Sequence, residues 1–97
     1  MCNIAGYIGS KKATPILFEM IKKQEGYAGG YYAGIATIKD NEILSHKLTG
    51  SIDMLENTFA KDFDGNIGII HTRSNAGGGD EWAHPFLGTK NGEVITA

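Results

Sequence analysis

The one cysteine of this 97-residue chain stands at position two, behind the methionine of "MCNIAGYIG". Removal of Met1, which a small second residue permits, would set the Cys2 thiol beside its own α-amino group. The amine has a pKa of about 8 and the thiol about 8.5, so a proton passes between them, directly or through water, at little cost near neutral pH. A nucleophile with its own base is a known activation scheme. The competing reading is a small buried hydrophobe or a plain redox thiol. A second candidate group is Arg73 in "HTRSNAGGG", at the end of an apolar run and before a glycine-rich stretch. Its planar fork of donors matches a carboxylate; the plainer alternative is a solvated surface arginine. His71 and His84 read as structural hydrogen-bonding residues rather than a general base. No tight metal-ligand spacing appears, so no metal and no cofactor are expected.

The elements that must position these groups follow from pattern. "NIAGYI", residues 3–8, mixes β-formers with small residues before "GSKK" and predicts a short buried strand that begins at Cys2. Thr14 and Pro15 read as an N-cap and first-turn pair, with Ile16, Leu17, Met20 and Ile21 at helical spacing and Gly26 as a stop, so a helix is expected over about 15–24. "AGIATIK" and "EILSHKL" flank Asp40 and Asn41 as a hairpin. Ser51 caps an expected short helix with Ile52, Leu55 and Phe59 on one face, which "FDGN" breaks. "IGIIHT" then predicts a buried strand, Asn75 to Asp80 a loop, and "EVIT" a last strand entered through the Asn91–Gly92 turn. This order predicts an α+β fold in a single domain spanning residues 1–97.

Composition bounds the function. Hydrophobic residues make up 41% and charged residues 21%, the proportions of a folded globular chain. Nine basic residues against eleven acidic ones leave a net charge of -2 and no basic stripe, which argues against a nucleic-acid partner. No apolar run approaches the roughly 20 residues of a membrane span, and no secretion signal is evident, so a cytoplasmic protein is expected. Glycine is abundant, at 14 residues, and clusters in "GYAGGYYAG" and "NAGGGD", which predicts two tight or ligand-approaching loops.

Three blocks, in order, carry a resemblance. "MCNIAGYIG" resembles the "MCGIxG" opening of class II glutamine amidotransferases. "GYAGGYYAGIAT" is similar to their "YRGxDSAGIA" stretch, and "GIIHTRSNAGGGDEWAHPF" to their "GIGHTRxAT(H)G…NAHPF" segment. The resemblance implies an N-terminal-nucleophile hydrolase fold, a four-layer α-β-β-α sandwich, of which this chain is expected to be roughly the first half. It implies glutamine as ammonia donor, with Cys2 attacking the side-chain amide, a γ-glutamyl thioester forming, and water releasing glutamate. Arg73 matches the residue that clamps the substrate α-carboxylate. Ser74 follows it on the substrate side, and Gly29 aligns with the "RG" glycine close to the nucleophile. The family's oxyanion pair, Asn-Gly, would begin where the sequence stops at Ala97, since Asn91 and Gly92 read as a turn.

The same resemblance implies a synthase domain, fused or separate, that accepts the ammonia; homo-oligomerisation stays open. There are departures from the pattern. Asn3 stands for glycine, Ala28 for the "RG" arginine and Tyr31 for the aspartate, and Ala76 and Gly77 fall where a hydroxyl and an imidazole are usual. The altered loop after Arg73 and the absent oxyanion pair motivate the alternative reading, a non-hydrolytic relative that binds an amino acid or serves regulation.

Overall fold

The computed structural model describes residues 2–26, 29–75 and 83–96. In chain order these form β1 (Cys2–Ile8), α1 (Ala13–Glu25), β2 (Tyr32–Lys39), β3 (Glu42–Thr49), α2 (Ile52–Glu56), a 3-10 turn (Phe59–Asp62), β4 (Ile67–Arg73), β5 (Leu87–Lys90) and β6 (Glu93–Thr96). The class is α+β, as expected. A four-stranded antiparallel sheet runs in the order β1-β4-β2-β3, and β5 and β6 form a separate two-stranded ribbon.

One face of the sheet is the core. Ala5, Ala33, Ile35 and Ile70 point from three strands toward α1, whose Ala13, Leu17, Phe18 and Ile21 fall on one helical stripe. Ile52, Leu55, Ala60 and Phe63 close the same core from the segment between β3 and β4. Alternation sends Cys2, Ile4 and Ile8 of β1 to the opposite face, where Ile4 is 58% and Ile8 77% exposed. The described residues therefore build a helix layer on a sheet layer. At the far end of that second face Gly92 and Glu93 of the ribbon line a cleft with Ile38, Asn41 and Ile43.

Several expectations shift. The first helix starts earlier than about residue 15, and Thr14 is not its cap: the cap position is Lys12, with no side-chain bond. Thr14 is buried, and its hydroxyl donates to the Phe63 carbonyl at 2.7 Å, while the Gly65 carbonyl accepts the Ala13 N–H at 2.8 Å. The hydroxyl is committed across the core, and a backbone carbonyl meets one of the helix's orphan donors instead. Ser51 does cap α2, accepting from the Met54 N–H. That helix ends at Glu56, so Phe59 leaves the expected face; it is 62% exposed and its ring lies 4.6 Å from that of His46. The Asp40–Asn41 turn has positive φ at both residues, as a two-residue hairpin requires. Asn91 and Gly92 do the same, so the expected last strand is half of a hairpin whose other half, β5, was not anticipated. Of the expected Asn75–Asp80 loop, residues 76–80 lie outside the described residues, as do Met1, Ala28, Ala76 and Gly77.

Candidate active site

The register of the sheet assembles one end of it. Cys2 pairs with Arg73 on β4, and Arg73 pairs with Tyr32 on β2, so three side chains stand in a row across the second face. β4 runs one residue beyond the expected "IGIIHT", which makes Arg73 its last strand residue. The guanidinium carbon lies 4.4 Å from the Tyr32 ring centroid, a cation–π contact that holds the fork in place. Cys2 is an exposed free thiol. With Asn3, Ile4, His71 and His84, Cys2 and Arg73 line a cavity of about 240 Å³.

The cavity wall comes from a distant segment. Residues 83–86 cross the sheet over Gly34, where a Cβ would collide with the His84 carbonyl oxygen and lie 2.8 Å from Pro85 Cδ. Only glycine admits that approach. Lys47 Nζ donates to the Ala83 carbonyl at 3.0 Å, and its charge sits 5.1 Å from the Phe86 ring centroid. The His84 N–H donates to His71 Nδ1 at 3.3 Å, and the two rings meet edge-on at 4.8 Å. Burial, then the neighbouring His84 and Arg73 charges, push the His71 pKa down to about 4, so its ring is neutral near neutral pH and free to accept. The His71 ring accepts a hydrogen bond, and His84 contributes its backbone N–H to it; their place in the cavity wall was not foreseen.

Gly29 and Ser74 stand near the row without lining the cavity. Gly29 has φ +98° and packs on Thr72, one residue before Arg73. Ser74 follows β4 directly and is half-buried. Tyr31, in the place of an aspartate, is 45% exposed, and its N–H donates to the Arg73 carbonyl at 3.0 Å. Asn3, in the place of a glycine, reaches the helix side, where Nδ2 donates to the Gln24 carbonyl at 3.2 Å. Tyr32 was missed as a site residue because its role depends on pairing with a strand about 40 residues away. Among the described residues no cluster of three metal-ligating side chains occurs, and no helix is long and apolar enough to cross a membrane.

Comparison with known proteins bears out the resemblance to class II glutamine amidotransferases, since the chain is similar to the N-terminal part of proteins that share one name. The curated proteins it matches bear the name glutamine–fructose-6-phosphate aminotransferase [isomerizing]. The chain is 48% identical over 75 residues to the Bacteroides thetaiotaomicron protein, 75% of this chain and 12% of that one. It is 43% identical over 93 residues to that of Clostridium perfringens, 93% and 15% of the two lengths. It is 42% identical over 88 residues to that of Pyrococcus horikoshii, 88% and 14%. The chain thus spans about one seventh of the length of the curated relatives it matches. No protein-family model matches it.

Proposed function

We propose that this chain carries the glutamine-hydrolysing centre of a glutamine-dependent amidotransferase. The observation that carries the reading is the pairing of Cys2 with Arg73 across adjacent strands at one cavity. Once Met1 is removed, the free amine of Cys2 takes the thiol proton and the thiolate attacks the side-chain carbonyl carbon of glutamine. Collapse of the tetrahedral adduct breaks the C–N bond, the amine's proton goes to the leaving nitrogen, and ammonia departs from a γ-glutamyl thioester. Water, deprotonated by the same amine, then cleaves the thioester to glutamate and the free thiol. Arg73 clamps the α-carboxylate, its fork oriented by Tyr32. Ser74 and the Gly29 backbone complete the substrate side.

In this reading residues 1–97 are the N-terminal part of a four-layer N-terminal-nucleophile sandwich. The β1 side of the second face, with Ile4 and Ile8 exposed, fits the place of a second sheet. The ammonia passes to a synthase domain in a cytoplasmic enzyme, and the names of the relatives make fructose 6-phosphate the acceptor to test first.

The sequence after Arg73, with Ala76 and Gly77 where the family has a hydroxyl and an imidazole, favours a second reading, an amino-acid-binding or regulatory relative without turnover. Ammonia release from glutamine by the full-length protein, measured with and without Cys2→Ala, separates the two. Hydrolysis that vanishes in Cys2→Ala supports the first; glutamine binding without ammonia release supports the second.

A further inference from the structure

Glu25 is the last residue of α1, where the helix dipole concentrates negative potential and a carboxylate is disfavoured. Two hydrogen bonds account for its presence. Its Oε2 accepts the Ile52 N–H at 2.8 Å and the Thr72 hydroxyl at 3.3 Å. A carboxylate only accepts, so the single hydroxyl proton of Thr72 is directed to Glu25. The lone pairs of Oγ1 are thereby left for the Gly30 N–H, which donates to them at 2.8 Å.

Thr72 is fully buried on the helix-covered face, one residue before Arg73. It therefore acts on a ligand in the cavity only through the segment it holds. That segment is fitted to it: at Gly29, with φ +98°, an added Cβ would lie 2.6 Å from the Thr72 methyl. Two residues on, Tyr31 donates its N–H to the Arg73 carbonyl. Residues 29–31 are thus fastened to both sides of the peptide that presents Arg73.

We propose that Thr72, oriented by Glu25, is a positioning residue that fixes the Gly29–Gly30 backbone beside Arg73 for substrate binding. The identity of that substrate rests on the glutamine reading above; the positioning does not.

Two measurements on the full-length protein test it: steady-state glutamine hydrolysis and hydrogen exchange of the Gly30 amide. Thr72→Val removes the acceptor and keeps the shape. It is expected to raise KM for glutamine roughly threefold to tenfold, with kcat changed less than about twofold, and to speed Gly30 exchange at least about tenfold. Thr72→Ser and Glu25→Gln keep the hydroxyl and the acceptor, and restore both readouts to near wild type. If Thr72→Val does not fold, Glu25→Ala carries the test with the same direction of change. The proposal is overturned if KM and Gly30 exchange stay at wild-type values in Thr72→Val, or if Thr72→Ser is as impaired as Thr72→Val. Should the wild type hydrolyse no glutamine while Thr72→Val still releases the Gly30 amide, the positioning role stands and the substrate reading alone fails.

Discussion

Gly34→Ala adds one methyl group under the segment that walls the cavity. The backbone of Gly34 lies outside the left-handed region, so alanine adopts it without strain, and the cost comes from space alone. The new Cβ would overlap the His84 carbonyl oxygen and press on Pro85 Cδ, both anchored parts of residues 83–86. Real Cβ atoms do not approach within 3.0 Å of other heavy atoms, so the segment must lift by about 1 Å. Overpacking of this kind costs about 1–3 kcal/mol, and alanine's better strand propensity offsets about 0.5–1 kcal/mol of it. The net loss is then about 1–2 kcal/mol, or a fall in Tm of about 4–8 °C per kcal/mol for a domain of this size. Urea unfolding measures the loss, and histidine NMR reads the local event. As residues 83–86 lift, His71 loses burial and the His84 contact, and its pKa climbs from about 4 toward the ordinary 6.5. Gly26→Ala is the control. That residue ends α1 with right-handed φ and has open space around it, so the change raises stability by about 0.4–1 kcal/mol. Wild-type stability and an unmoved His71 titration in Gly34→Ala would refute the account of the cavity wall.

Three further outcomes follow from the same geometry. The folded protein holds His71 neutral down to about pH 4 while the unfolded chain protonates it below about 6.5, so stability present above pH 6.5 is lost as pH falls toward 4. The loss is on the order of 2–3 kcal/mol, and His71→Asn flattens that window of the stability–pH curve relative to wild type. Arg73→Lys gives up both the planar fork and its stacking on Tyr32 and raises KM for glutamine roughly tenfold to a hundredfold, read from initial rates; an unchanged KM rules out the carboxylate clamp. Thr14→Val strands the Phe63 carbonyl in the core and lowers unfolding free energy by about 1–2 kcal/mol in urea, with no effect on glutamine KM.

Local chemistry in the sequence foretold much of this fold. Asp40–Asn41 and Asn91–Gly92 announce their turns because few residue pairs tolerate positive φ twice running. The apolar stripe of α1 and the Ser51 cap are legible for the same reason, being set within one or two helical turns. What stayed hidden depends on partners distant in sequence. Thr14 reads as a cap until Phe63 is placed against it, 49 residues on. β5, "LGTK", is exposed at every residue and therefore has no apolar alternation to betray it. Cys2 and Arg73 each stood out as candidates, yet only strand register sets them side by side, and nothing local marks Tyr32 or the crossing of residues 83–86 over Gly34.

The most direct test of the central claim is the intact mass and peptide map of the full-length protein after treatment with a glutamine analogue that carries an electrophile at the γ position. The account predicts loss of Met1 and a single adduct on Cys2. Excess glutamine should block that adduct, and Cys2→Ser should abolish it. A protein that retains Met1, or takes up the analogue elsewhere at the same rate, contradicts it.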